Sequence, residues 1–318
     1  MEKNNFIETD KISGKQVLEE LAEIYRQLYL VPGEEGAKEL YKEIVQGGGE
    51  PPEKSLAHFK RSEKDSCVTI VTPAGSVRVI TLYEREDFEL FLQIVAHRCE
   101  KKEISKTQGA SMLDGVINWR RIEARHKAFY REETERGVTD PDWNAEFERF
   151  TSDKKNYLDA LILLSVGPYS AVSAERAGFT KEEWVGYSNN IRKYHEITHF
   201  VCRRLYREKK EPVWDELAAD AAGLYAAFGK YDIRLAELFL GIEEGRYVGG
   251  RLENYLGKDE ALKPKEEQSE SLDALALRAH KALTKLKAVI DGNAGADIYD
   301  MIILLEEQQE KIWNLESM

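Results

Sequence analysis

Arg192–Phe200 reads RKYHEITHF, and this stretch decides how the rest of the chain is interpreted. An α-helix turns about 100° per residue, so His195 and His199 lie about 40° apart and about 6 Å along the axis. Both imidazoles therefore face the same side and can reach one ion. Glu196 lies about 100° around the helix, where a carboxylate can take a proton without ligating the metal itself. The stretch predicts a metal-binding helix of the H-E-x-x-H type.

A second segment, Trp214–Gly223, reads WDELAADAAG and supplies carboxylates that two histidines lack. Catalytic zinc sites usually have three protein ligands plus water. Glu216 follows the second histidine by seventeen positions. Asp220 lies one turn beyond Glu216 on the same face, where it can accept the other ring N–H of a ligating histidine. The surrounding alanines are small enough for this helix to pack close to the histidine helix; they occupy positions 218, 219, 221 and 222.

H-E-x-x-H followed by E-x-x-x-D resembles the gluzincin branch of the zincin metallopeptidases. The resemblance implies one zinc per chain, held by His195, His199 and Glu216. It implies that Glu196 is the general base and that Asp220 is the partner of a ligating histidine. It also implies a zinc-dependent hydrolase that cleaves an amide bond in a peptide or a small amide substrate. Three further motifs, GVINWRRI, LSVGPYS and GGRLENY, resemble signatures of an uncharacterised bacterial group, which implies no activity.

A hydrolase of this kind often has a second electrophile that stabilises the oxyanion. Arg251 and Tyr255 in GGRLENY are candidates for this role, as is Tyr247. No spacing rule selects these side chains, so packing and surface pairing are the favoured explanation of Arg251 and Tyr255.

The fold class expected is α+β and mostly α: a zincin-like helical core with one small β-hairpin and a C-terminal helical hairpin. CVTIVTPAGSVRVITLY is the one convincing β signal, with two β-branched runs around Pro73-Ala74-Gly75. The chain before it and after it is predicted to be helical, and YLDALILLSVGPY is predicted to be a buried core helix. The predicted division is an N-terminal helical segment (1–60), the metal-binding core (61–257), a linker (258–270) and the C-terminal hairpin (271–318).

The composition is that of a globular protein, with 42% hydrophobic and 33% charged residues. A formal net charge of -12 argues against nucleic acid as a partner, because phosphate binding needs a basic surface. Three cysteines without a CxxC pair indicate reduced thiols and a cytoplasmic location. The sequence shows neither a secretory signal nor an apolar run long enough to cross a membrane. The C-terminal hairpin is predicted to dock on the body or on a protein partner.

Two alternatives remain open at this stage. Glu196–His199 and Glu123–His126 both have the form E-x-x-H, which two helices of a ferritin-like di-iron oxidoreductase also carry. A zincin-like core with intact ligands can also serve as a non-catalytic zinc-binding scaffold. Metal analysis distinguishes one zinc from two irons, and substitution of the general base distinguishes a hydrolase from a scaffold.

Overall fold

A computed structural model describes residues 8–206, 211–257, 262 and 264–314. Within these ranges the chain is α+β and mostly α, as predicted. It divides into two compact units. Among the described residues, one comprises 8–71 and 76–165, and the other comprises those from 166 to 314 together with Thr72–Gly75. These limits differ from the predicted boundaries at 60/61 and 257/258.

The first unit is built on a five-stranded mixed sheet in the order β1-β2-β3-β5-β4. Its elements are β1 (Glu8–Ser13), α1 (Gln16–Ile24), α2 (Ala37–Gly47), β2 (Ser66–Thr72), β3 (Gly75–Leu82), α3 (Arg85–Val95), β4 (Ala110–Ile117), α4 (Trp119–Glu135), α5 (Trp143–Thr151) and β5 (Leu158–Ser165). The predicted hairpin is confirmed as β2 and β3, but it is part of a larger sheet. The prediction of a helical start was incomplete, because β1 pairs antiparallel with β2.

The prediction of a core helix at YLDALILLSVGPY was wrong, because this segment forms β5. The strand pairs parallel with β3 and antiparallel with the edge strand β4. Seven of its eight residues are buried, so both faces are apolar and the period-2 alternation of a half-exposed strand is missing. The prediction that the chain after the hairpin is helical was also wrong for Ala110–Ile117, which forms β4; helix α4 begins only at Trp119.

The second unit is helical and carries the predicted metal-binding segments. Its elements are α6 (Ala174–Ala177), α7 (Lys181–Leu205), α8 (Pro212–Phe228), α9 (Ile233–Leu240), the short strands β6 (Ile242–Glu243) and β7 (Arg246–Tyr247), α10 (Lys265–Gly292) and α11 (Ile298–Glu306). A capping box opens α7, with Thr180 and Glu183 bonded to each other's backbone N–H. Large aromatic side chains such as Trp184, Phe200 and Trp214 are fully buried in this unit.

The C-terminal helical hairpin is present as α10 and α11. Both helices pack against α8, and the hydroxyl of Tyr225 on α8 donates a hydrogen bond of 2.8 Å to the carbonyl of Ala296 in the hairpin turn. The predicted linker 258–270 lies partly outside the described residues, and α10 begins within that range. The second predicted helix is shorter than expected, since α11 ends at Glu306 and a π-helical turn follows at Gln309–Trp313.

All three cysteines, Cys67, Cys99 and Cys202, are free and buried. A bilayer-spanning helix needs about 20 predominantly apolar residues. Across the ranges that the structure describes, no helix is long and apolar enough for this.

Candidate metal centre

Helices α7 and α8 lie unusually close together at the centre of the second unit. Pro212 occupies the first turn of α8, and Gly229 ends the helix in the left-handed conformation. Gly223 shows how close the approach is, since a Cβ atom added there would lie 2.7 Å from the carbonyl oxygen of Ile191 on α7. Four buried alanines line the same helix, at positions 218, 219, 221 and 222. Small side chains therefore let the backbone of α8 approach the histidine helix.

The three predicted ligands converge. The Nε2 atoms of His195 and His199 lie 3.1 Å apart. Glu216 reaches both rings, with one carboxylate oxygen 3.6 Å from His195 Nε2 and the other 3.5 Å from His199 Nε2. Ligands at about 2.0–2.1 Å from a tetrahedral zinc ion are separated by about 3.3 Å. These separations therefore fit a single zinc ion. Of all described residues, these alone form a group of three metal-ligating side chains this close together.

Behind His195, the carboxylate of Asp220 lies where the E-x-x-x-D pattern predicts it. His195 Nδ1 is 2.9 Å from Asp220 Oδ1, and Asp220 is only 1% exposed. An Nδ1–H group facing this carboxylate leaves the Nε2 lone pair directed at the other ligands. Asp220 can therefore set the tautomer and the orientation of His195, as carboxylates commonly do behind metal-bound histidines.

Behind His199 lies a second carboxylate that sequence analysis did not assign, at ion-pair distance but not aligned for a hydrogen bond with the ring. His199 Nδ1 lies 3.1 Å from Asp215 Oδ2. Asp215 directly precedes the ligand Glu216, so a single helical segment provides a ligand and both histidine partners. The signal that could have identified Asp215 is the rule that each ligating imidazole needs an acceptor for its second nitrogen.

Tyr169 is a further buried side chain in the centre that sequence analysis missed. Its hydroxyl donates a hydrogen bond of 2.6 Å to Asp220 Oδ1 and lies 2.9 Å from His195 Nδ1. The backbone after it is strained, because Ser170 and Ala171 both have positive φ, at 49° and 57°. Each such residue costs on the order of 1–3 kcal/mol, and strain of this kind is concentrated at functional sites.

Arg251 enters the centre from a 3₁₀ turn after β7, and glycines make this possible. A Cβ atom on Gly250 would lie 2.7 Å from the backbone of Gly241, so only glycine fits at this crossing. The Arg251 guanidinium then forms an ion pair with Asp220 Oδ2 and donates a hydrogen bond of 3.2 Å to Tyr169 Oη. Arg251 is therefore bound to Asp220, the carboxylate behind His195. This ion pair explains why the Arg251 side chain is directed into the protein, and a role as electrophile is not needed to explain it.

The other two candidate electrophiles differ in their partners. The Tyr255 hydroxyl donates a hydrogen bond of 2.8 Å to Oε2 of the ligand Glu216, so it lies beside the ligand cluster. The Tyr247 hydroxyl instead bonds Glu253 and Gly250 within its own loop. Of the two tyrosines, only Tyr255 is bonded to a ligand.

Glu196 is half-buried on α7 between the two histidines. Its carboxylate has no hydrogen-bond or ion-pair partner among the residues described, in contrast to every other acid of the centre. The predicted role of general base requires a carboxylate that is not already paired.

The electrostatics of the centre favour anionic carboxylates. Burial raises the pKa of Glu216, but His199, His195 and Arg251 outweigh burial and hold it well below its usual range. Burial also raises the pKa of Asp220, and Arg251 and His195 again lower it below the ordinary value. The carboxylates of Asp215, Glu216 and Asp220 thus outnumber the one guanidinium beside the two imidazoles, and this excess of negative charge favours binding of a cation.

The same carboxylates also act on the pKa of His199. Burial lowers its pKa, but the carboxylates of Asp215 and Glu216 outweigh burial and raise the pKa to about 10. The centre therefore holds positive charge at this imidazole when no other cation neutralises the carboxylates.

The second E-x-x-H motif lies elsewhere, on α4 of the sheet-containing unit. Glu123 forms an ion pair with Arg26, and the ring of His126 packs against Tyr130 and Trp143. Both side chains are therefore used in contacts within their own unit.

Residues 9–313 match the model of a family described as a family of unknown function (DUF7005), and the chain belongs to that family. A search of curated proteins and a search of solved structures found no match. Membership of the family assigns no activity.

Proposed function

We propose that the chain is a zinc-dependent hydrolase that cleaves an amide bond. One observation carries the proposal: the ligand atoms of His195, His199 and Glu216 all lie within 4.8 Å of one another. Two imidazoles and one carboxylate are a ligand set typical of catalytic zinc, with one position left for water or substrate. Thiolate ligands, which structural zinc sites favour, are not part of the set.

The roles of the other residues follow from their partners. When bound, zinc lowers the pKa of water to about 7 and polarises a carbonyl oxygen. Glu196, which is half-buried and unpaired, accepts the proton of the attacking water and then delivers it to the leaving amine. Tyr255 lies beside the ligands, where its hydroxyl can donate to the oxyanion after it releases Glu216.

A peptide or a small amide is the substrate class that the resemblance to zincins supports. The predicted protein partner of the C-terminal hairpin would find only part of its apolar surface free, because several large apolar residues of α10 and α11 are buried, whereas Leu277 is 49% exposed. Leu283, Leu286, Met301 and Leu305 are all fully buried.

Metal analysis tests the proposed site. We expect about one zinc per chain in the wild type and almost none in His199→Ala, because two ligands do not retain catalytic zinc. His280→Ala is the matched control, since His280 lies in the same unit but is bonded to Glu237 on α9. Equal zinc in His199→Ala and the wild type would refute the site, and two irons per chain would favour the di-iron alternative.

Substitution of the base tests the proposed chemistry. Glu196→Gln should retain zinc and lose hydrolysis by about 10²–10⁴-fold, the range for a general base. Glu182→Gln, an exposed change in the first turn of the same helix, should alter neither. The assay follows amine release from a pool of quenched peptides and N-acyl amino acids. Zinc-loaded wild type that releases no amine from the pool, or is unaffected by Glu196→Gln, would instead favour the scaffold alternative.

A further inference from the structure

Two segments that contribute no metal ligand meet behind His195. One is the strained turn after β5, from the motif LSVGPYS, and the other is the 3₁₀ turn Arg251–Tyr255, from GGRLENY. Both motifs were noted in the sequence without a structural role. Each delivers one polar side chain, Tyr169 and Arg251, to the same buried point beside Asp220.

The hydrogen bonds at this point allow one consistent set of protons. Arg251 can only donate, so the oxygen of Tyr169 accepts from it at 3.2 Å. The single proton of Tyr169 is given to Asp220 Oδ1 at 2.6 Å. His195 Nδ1 then faces two oxygens that can only accept, Asp220 Oδ1 and Tyr169 Oη, each at 2.9 Å. Nδ1 must therefore carry a proton, and in the neutral imidazole the lone pair then lies on Nε2.

We propose that Tyr169, held by Arg251, is a positioning residue that fixes the Nδ1–H tautomer and ring direction of His195 and thereby tightens zinc binding. The inference rests on the proposed zinc site and goes beyond it, because it assigns a role to a residue that is not a ligand, a base or an electrophile. Tyr169 acts on the metal through the imidazole, since its hydroxyl is bonded to the protein side of the ring.

The surroundings of Tyr169 indicate that the turn is built to present this side chain. Its ring packs edge-on against Phe239 with centroids 4.8 Å apart. Arg192 on α7 donates hydrogen bonds to the carbonyls of Gly167 and Pro168, which anchors the turn. The next residue, Ser170, is left-handed and has a buried hydroxyl without a hydrogen bond to any described residue. The turn itself therefore contains a strained residue and an unsatisfied hydroxyl. The hydroxyl of Tyr169, in contrast, lies within hydrogen-bond distance of His195, Asp220 and Arg251.

The first test compares zinc affinity in Tyr169→Phe and Tyr225→Phe by competition with a chromophoric chelator. Loss of an outer partner of a ligating histidine weakens metal binding by about 10–100-fold, and we expect a shift in that range for Tyr169→Phe. Tyr225 is the matched control. It is a buried tyrosine of the same unit whose hydroxyl bonds the carbonyl of Ala296, so its loss should leave zinc affinity unchanged.

The second test measures the electronic spectrum of Co²⁺ in the same proteins. A change in the direction of His195 alters the ligand field, so Tyr169→Phe should shift the visible Co²⁺ bands and Tyr225→Phe should not. A double substitution with Asp220→Asn should weaken zinc binding by less than the product of the two single effects, because both side chains act on one ring.

The outcomes separate this inference from the zinc proposal. Wild type that holds no zinc refutes the proposed function. Wild type that holds zinc, with Tyr169→Phe unchanged in affinity and Co²⁺ spectrum, overturns the positioning role even if the variant melts at a lower temperature. If Tyr169→Phe does not fold, Arg251→Lys replaces it. Lysine keeps the charge beside Asp220 but cannot bond both oxygens as a guanidinium does, so the same spectral shift is expected, and its absence would overturn the inference.

Discussion

Gly223→Ala should separate α7 from α8 and weaken the metal centre without changing any ligand. The new Cβ would lie 2.7 Å from the backbone carbonyl oxygen of Ile191 and 3.1 Å from its Cγ2 atom. A backbone oxygen cannot rotate out of the way. The gap must therefore open toward ordinary contact at 3.4 Å, a movement of about 0.7 Å. Metal–ligand distances tolerate changes of only about 0.2 Å.

The magnitude follows from two opposing effects. Overpacking in a tight interior costs about 1–3 kcal/mol, whereas replacing a helical glycine by alanine contributes about 1 kcal/mol of stability. Gly223→Ala should thus lower the free energy of unfolding by about 0–2 kcal/mol. Since His195 and His199 lie on α7 and Glu216 on α8, the opened gap should also weaken zinc binding by about tenfold, the lower end of the loss when ligand orientation is disturbed.

Gly186→Ala is the matched control, because Gly186 lies on α7 and a Cβ added there meets nothing within 4 Å. This variant should gain about 1 kcal/mol and bind zinc as the wild type does. Urea unfolding and chelator competition measure both quantities. If Gly223→Ala is as stable as Gly186→Ala and binds zinc equally well, the close approach of the two helices does not support the site.

Three further predictions concern single side chains. Asp215→Asn should weaken zinc binding by about 10–100-fold in chelator competition, because His199 loses its anionic partner; unchanged affinity would contradict that pairing. Leu163→Ala should lower the free energy of unfolding in urea by about 2–5 kcal/mol, because Leu163 in β5 is fully buried. A loss as small as that of a substitution at an exposed residue would contradict its place in the core. Hydrogen bonds from Arg149 and Arg125 lower the pKa of Glu146 to about 2, below about 4.3 in the unfolded chain. The ionised carboxylate therefore stabilises the folded state above about pH 4.3, and this stabilisation is lost as the pH falls toward 2. The free energies of unfolding of wild type and Glu146→Gln should converge as the pH is lowered over this range. A difference between them that does not change with pH would contradict the prediction.

The side-chain cluster of the candidate metal centre could be predicted from the sequence because its geometry is local. The spacing of His195 and His199 fixes their common direction within one helix, and Glu216 and Asp220 are likewise one turn apart on the next. Only the packing of two consecutive helices was needed to bring these four together. Tyr169 could not be found in this way, because it reaches His195 through tertiary structure, from a turn that no periodicity describes.

The sheet was underestimated for a physical reason. β5 is buried on both faces, so its run ALILL (160–164) is continuously apolar and carries no strand period. β4 contains the polar Asp114 and a bulge beside Gly115, where the register with β5 shifts. β1 is almost entirely exposed. Burial on both faces, a bulge and an exposed edge each remove the alternation by which strands are recognised.

The division of the site between two helices has a consequence for the lifetime of the protein. Both histidines belong to α7, whereas Asp215, Glu216 and Asp220 all belong to α8, so neither helix alone is a binding site. On the proposed zinc site, the ion is a reversible cross-link between them. A thousandfold excess over the dissociation constant would add about 4 kcal/mol to the folded state. Zinc starvation would then shorten the survival of the chain as well as stop its chemistry.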